Sequence, residues 1–281
     1  MLPDAIELIR TPPSRSHFRA AVFDFDGTVS LLREGWSRLM AEIGLEHLGD
    51  ATPIEYLERE MLLLSGKPSI HQMRRLAEIV HERTGRAPDP DAMLQKFLGG
   101  LIALSAARQE RITGGADHPA AWTVRGTLGL LDNLRRRGVT LLLASGTDVA
   151  FVKRECEILG VAEFFGDRIH GPADNTPNFS KRTVIEEFLR ELGLPGEALL
   201  GFGDGYSETV EVKRAGGTMI GVASAEVGVP GINDMKRTML IELGADVIVG
   251  DYAHGEELVE WLFEPGAPLD SSGQPCARSH K

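Results

Sequence analysis

Five short, continuous runs of apolar and β-branched residues, at 20–25, 139–144, 199–202, 218–222 and 246–249, constrain the fold of this chain most. Runs of four to six residues are too short for helices. Their lack of polar alternation marks strands covered on both faces, as in a parallel sheet wrapped by helices. Helical patterns separate most of them, so the expectation is an α/β fold: a doubly wound, Rossmann-like parallel sheet. Between the first and second runs, residues 31–120 predict helices over 36–43, 54–64, 69–84 and 90–109. Gly44, Gly66-Lys67-Pro68 and Gly85-Arg86-Ala87-Pro88 punctuate them. That stretch is expected to form an inserted all-helical domain, with residues 113–119 as its return linker. The predicted organisation is an extension over 1–19, a core over 20–30 and 121–265, the helical insertion over 31–120 and a mobile tail over 266–281.

Length and charge narrow the partners. With 281 residues the chain can bury a core without cross-links, and its two cysteines, Cys156 and Cys276, show no metal-ligand spacing. A net charge of −11 argues against nucleic acid as a partner, because such binding rests on phosphate neutralisation by a basic face. The run Arg135-Arg136-Arg137 before Gly138 reads as cations complementing a helix end. No signal-like or membrane-spanning stretch is evident, so a soluble, cytoplasmic protein is expected.

Four segments carry residues suited to chemistry. The first predicted strand runs into Asp24-Phe25-Asp26-Gly27-Thr28 at the carboxyl edge, where open α/β sheets bind ligands. Both carboxylates can approach one ligand only if the chain turns away at Asp26, and Gly27 makes that turn accessible. The second ends in Ser145-Gly146-Thr147-Asp148, a hydroxyl and backbone N–H groups opening a helix, which can hold phosphate; Asp148 reads as the N-cap. Lys181 stands in the first turn of a later helix, against the helix dipole. The fourth, Gly203-Asp204-Gly205-Tyr206-Ser207-Glu208, adds two carboxylates at the same edge. So many like charges in one crevice call for a cation, and Mg2+ is the hard, oxygen-preferring choice that also binds phosphate.

In order and placement these four segments resemble the motifs of the haloacid dehalogenase-like (HAD) hydrolase superfamily, over about residues 20–265, and residues 31–120 resemble its α-helical cap. The resemblance implies a phosphatase with Asp24 as nucleophile and Asp26 as general acid/base. It places Ser145 and Lys181 on the transferring phosphoryl group, with Gly146, Gly27 and Thr28 beside them. Mg2+ would be bound by Asp24, the backbone carbonyl of Asp26, Asp204 and Glu208. Glu208 stands where relatives often have Asp, so its longer arm makes direct ligation the least secure of these roles. The expected substrate is a small phosphorylated metabolite, such as a sugar phosphate or a phosphoglycolate-like compound. A phosphosugar mutase uses the same aspartyl-phosphate, and a silent phosphometabolite-binding protein is a more distant alternative. Substrate contacts from the cap are expected from Arg33 and Trp36 and from the turn at Gly66 and Lys67.

Overall fold

A computed structural model describes residues 2–12, 15–49, 52–64, 68–173, 179–225 and 231–264. Seven strands form one sheet: β1 (Ile6–Leu8), β2 (Ala20–Phe23), β3 (Thr140–Ala144), β4 (Ile169–His170), β5 (Leu199–Gly203), β6 (Thr218–Val222) and β7 (Val247–Val249). Their order is β1-β7-β6-β5-β2-β3-β4, all parallel except β1 against β7. From β2 the chain winds outward through β3 to β4, then returns to β5 on the other side of β2. The direction of winding therefore reverses between β2 and β5, which opens a crevice at their carboxyl ends.

Strand alternation divides the core into two layers. Ala21 and Phe23 of β2 pack with Phe202, Val152, Leu131 and Leu258 on one face; Ala20 and Val22 pack with Leu142, Ile185, Val212 and Leu240 on the other. The first layer is covered by α5 (Thr127–Arg136), α6 (Val149–Ile158), α7 (Ala162–Phe165) and α11 (Gly255–Phe263). The second is covered by α8 (Lys181–Leu192), α9 (Tyr206–Ala215) and α10 (Asp234–Leu243). Both faces of β2 are thus sealed, which is why its sequence carries no polar alternation.

The insertion folds as α1 (Trp36–Leu48), α2 (Ile54–Leu62), α3 (Ser69–Thr84) and α4 (Pro90–Thr113) around a separate apolar cluster of Met40, Ile43, Leu57, Met61, Met73, Leu76 and Phe97. Gly44, expected to break the first of these helices, lies inside α1. A Cβ there would sit 2.7 Å from Leu76 Cδ1 and 3.3 Å from Leu57 Cδ1, so the glycine lets three helices pack closely. The first nineteen residues, read as an extension, supply edge strand β1, whose apolar run Glu7 interrupts. The tail over 266–281 lies outside the described residues.

Behind the crevice, Phe23 and Phe202 stack with ring centroids 4.4 Å apart and planes 1° from parallel, and Tyr252 meets Phe202 edge-on at 6.2 Å. Phe202→Ala is expected to cost ~3–5 kcal/mol of stability, measured as a lowered thermal midpoint. A loss under about 1 kcal/mol would show that this layer closes over the missing ring.

Candidate active site

β2 stops at Phe23, yet Asp24 N–H still donates to the Phe202 carbonyl, at 2.9 Å, so Asp24 is fixed by the sheet itself. The chain then turns sharply, with the Phe25 carbonyl accepting from the N–H groups of Thr28, Val29 and Ser30. Gly27 sits at φ +76°, and a Cβ there would lie 2.1 Å from Asp204 Oδ2. Glycine is therefore required twice over, for backbone conformation and to let Asp204 approach the turn. Ser224 Oγ donates to the Gly27 carbonyl (2.8 Å) and Tyr252 Oη to that of Thr28 (3.0 Å), anchoring the loop from below. Burial, with Asp204 and Asp24 near, pushes the Tyr252 phenol well above its ordinary pKa, so it remains a donor.

The three carboxylates of Asp24, Asp204 and Glu208 each bring an oxygen within 4.8 Å of the others, a donor set suited to one hard cation. Two lysines are interleaved with them. Lys181 Nζ lies 2.7 Å from Asp24 Oδ1 and 2.7 Å from Glu208 Oε2; Lys236 Nζ lies 2.9 Å from Asp204 Oδ2. The second oxygen of Glu208 accepts from the N–H of Gly205, the N-cap residue of α9. Gly203 has no room for a side chain, since a Cβ would meet Glu208 Cγ at 2.1 Å.

With all five groups charged, three negative charges face two positive ones. Burial raises the Asp24 carboxyl well above the usual carboxylate range, Lys181 pulling against it and Glu208 and Asp204 adding to it. Asp204 is raised for the same first reason, against the pull of Lys236. Glu208 ends below its ordinary value, because Lys181 and the Gly205 N–H outweigh its burial. Burial alone would lower the Lys181 ammonium, but Asp24 and Glu208 hold it above its ordinary value. The site carries surplus negative charge, which a divalent cation would relieve, so the residues present fit one.

Asp26 belongs to a second network. Its Oδ1 accepts from Arg33 Nη1 (2.9 Å) and its Oδ2 from Thr147 Oγ1 (2.8 Å). Arg33 also grips Glu155 of α6 through both terminal nitrogens, at 2.7 and 2.8 Å. Glu155 is 1 % exposed and accepts further from Ser105 Oγ and Gln109 Nε2 of α4, each at 3.0 Å. Burial pushes the Glu155 carboxyl up, while Arg33 pulls it down. One buried carboxylate thus ties the helical insertion, the segment entering it and the core helix to the residue two beyond Asp24.

The sequence matches the haloacid dehalogenase-like hydrolase family over residues 18–216, from just before β2 through α9. The chain belongs to that family. Several solved structures share its fold. A HAD family hydrolase from Deinococcus radiodurans R1, solved with bound phosphate and sodium, superposes with a TM-score of 0.60 at 19% identity, covering 89% of this chain and 99% of that one. A protein described as a phosphoglycolate phosphatase, from Haemophilus somnus 129pt, gives 0.58 at 13%, covering 87% and 99%. One described as a β-phosphoglucomutase, from Thermotoga maritima, gives 0.55 at 18%, covering 88% and 99%. No curated protein sequence matches significantly.

In this HAD hydrolase the expected site residues are not all on the cleft. Asp24, Asp26, Gly27, Gly146, Lys181, Asp204 and Glu208 line one cavity between core and cap. Ser145 and Thr28 do not line it. The Ser145 hydroxyl is fully buried and accepts from Thr147 N–H (3.0 Å), while Thr28 Oγ1 is buried without a hydrogen-bond partner. Trp36 lines the cleft; Arg33 also reaches it, but its guanidinium is committed to Asp26 and Glu155 instead of standing free for a ligand. Gly66 and Lys67 lie outside the described residues.

Three participants went unread in the sequence. Lys236 carries the same signal as Lys181, a lysine in a first helical turn, here behind the Asn233 cap. Glu155 sits beside Val152 and Cys156 on the buried face of α6, and a carboxylate on an apolar stripe is itself a signal. Thr147 had none beyond following Gly146.

The Glu155 network is expected to secure the cap. Glu155→Ala leaves Arg33 short of its main partner and should lower stability by ~3–5 kcal/mol, with faster proteolysis of the segments joining cap to core. The double variant Arg33→Met/Glu155→Met should recover part of that loss. A Glu155→Ala protein with unchanged melting temperature and unchanged proteolysis would show that the contact does not hold the cap.

Proposed function

We propose that this hydrolase is a Mg2+-dependent phosphomonoesterase that works through an aspartyl-phosphate on Asp24. The observation that carries this reading is the pairing of two carboxylates with different partners on one cleft. Asp24 Oδ1 is held by Lys181 among the cation-binding carboxylates, while Asp26, two residues on, is held by Arg33 and Thr147 outside that cluster. Two carboxyl groups in unlike surroundings can take unlike roles.

Asp24 attacks phosphorus in line with the P–O bond to the leaving alcohol, and that bond breaks as the acyl phosphate forms. Lys181 neutralises charge on the phosphoryl oxygens. Asp26 gives its proton to the departing alkoxide and then takes one from the water that hydrolyses the acyl phosphate, restoring Asp24. Asp24, Asp204 and Glu208, with the Asp26 backbone carbonyl, would hold Mg2+, which supplies further neutralisation of the phosphoryl group. Glu208 already spends one oxygen on Lys181 and the other on Gly205, which favours an indirect part for it. Lys236 orients Asp204. Gly146, preceding α6, offers an N–H group suited to phosphate, the Thr147 N–H being spent on the Ser145 hydroxyl.

A phosphosugar mutase would share this first half-reaction. Release of inorganic phosphate separates the two outcomes, since a mutase returns the phosphoryl group to a sugar.

Asp24→Asn should keep the fold and lower phosphate release by roughly a thousandfold or more; ordinary turnover by a folded variant would overturn the mechanism. Wild-type activity should vanish in EDTA and return with Mg2+, and Asp204→Ala should raise the Mg2+ concentration required. Asp26→Asn should slow alkyl phosphates by roughly 10²–10⁴-fold while affecting para-nitrophenyl phosphate far less, because a nitrophenolate departs without a proton. Equal losses on both substrates would assign Asp26 to positioning alone.

A further inference from the structure

The cavity that opens on Asp24 has a volume of about 1240 Å³ and runs between the core edge and the inner face of the cap. Single exposed apolar side chains are ordinary on any protein surface, but a cluster of them is not. Among the described residues seven large apolar side chains are exposed, and four of these, Leu98, Ile102, Phe151 and Tyr206, line this one cleft. They come from both sides: Leu98 and Ile102 from α4 of the cap, Phe151 from α6 and Tyr206 from the start of α9 in the core. Ile102 and Tyr206 are each at least half exposed, at 56 and 50 %.

Most of the neutral polar side chains that the described cap residues bring to this lining are committed elsewhere. Ser105 and Gln109 are bonded to Glu155, the Thr113 hydroxyl to carbonyls of its own helix, and the Gln72 amide nitrogen to the Met61 carbonyl. Among the neutral polar side chains that the described cap residues bring to this lining, that leaves Ser69 and the indole of Trp36. Against that wall of the cap a polyhydroxylated leaving group would be desolvated with few neutral partners, the charged and hydroxyl side chains Arg154, Ser180 and Ser207 lying on the core side, whereas an apolar one would exchange water for side-chain contact.

We infer that the leaving group carries an apolar body, an alkyl or aryl alcohol, which lies between Leu98 and Ile102 on one side and Phe151 and Tyr206 on the other while its phosphate reaches Asp24. This rests on the phosphomonoesterase reading and narrows its substrate class away from sugar phosphates. The bond broken is still P–O, and the alcohol leaves with the proton from Asp26.

The test is a homologous series of n-alkyl phosphates from ethyl to octyl, below micellar concentration, with glucose 6-phosphate and para-nitrophenyl phosphate alongside and Mg2+ present. Apolar burial predicts kcat/KM rising about two- to fourfold per methylene, with octyl phosphate well above the sugar phosphate. Ile102→Asn, at an exposed helix position where folding is undisturbed, should flatten that rise and lower the octyl-to-ethyl ratio about tenfold. A flat series, a sugar phosphate preferred over octyl phosphate, or an unchanged slope in Ile102→Asn would overturn the inference. In those cases turnover of para-nitrophenyl phosphate would leave the phosphomonoesterase reading intact, and the apolar walls would serve to close cap on core. No phosphate release from any compound would overturn both.

Discussion

Three carboxylates gathered at one sheet edge repel one another, and the local structure is organised around making that arrangement tolerable. Lys181 and Lys236 offset two of the three charges, and the first lysine bridges Asp24 and Glu208 where neither could be so deeply buried alone. The charge left over is not a defect of packing. It is the surplus that a divalent cation would relieve, and together with burial, the larger cause, it keeps Asp24 and Asp204 raised. Charge of this kind costs stability, and the two stacked phenylalanines and the doubly covered β2 behind it supply a rigid apolar wall that offsets the cost.

Close approach makes the cluster possible, and close approach depends on missing side chains. Gly27 lets Asp204 lie against the turn after Asp24, and Gly203 lets Glu208 fold back over the end of β5. The same economy brings the cap and core together at Glu155. That carboxylate accepts from Arg33 at the entry to the cap and from Ser105 and Gln109 on its last helix, so cap position and Asp26 position are linked through one residue. Under the proposed mechanism this link would set the position of the proton-transferring group by the same contact that seats the cap beside the cleft.

Much of this was legible in the sequence because it follows from backbone geometry. Continuous apolar runs marked five of the strands, and the Gly and Pro positions marked most of the helix ends. β1 and β4 were not legible: Glu7 interrupts the apolar run of Ile6-Glu7-Leu8, and two residues carry no pattern. Gly44 misled because a glycine that permits helix packing looks, in one dimension, like one that ends a helix. At the site, Asp24, Asp26, Lys181, Asp204 and Glu208 announced themselves by standing where strands end or a helix begins. Ser145 occupied such a position too, but its hydroxyl turned back onto its own loop. Glu155 stayed hidden because its partners lie 46 to 122 residues away, and only folding reveals a contact of that span.

The division between core and cap explains why the chemistry reads clearly while the substrate does not. The two carboxylates proposed to act on phosphorus and on the leaving oxygen follow β2 at the carboxyl edge of the sheet, where backbone hydrogen bonds hold Asp24 and the turn after it. The leaving group meets a different kind of surface, built from side chains of amphipathic helices whose inner stripe is apolar for packing reasons as well. On α4 the two purposes meet: Phe97 is buried in the cap cluster while still lining the cavity, whereas Leu98 and Ile102 are exposed in the cleft. Exposed apolar area of that kind is a cost in the free protein. Its concentration beside Asp24, on both walls of one cavity, is what makes recognition of an apolar leaving group a more economical account than incidental exposure.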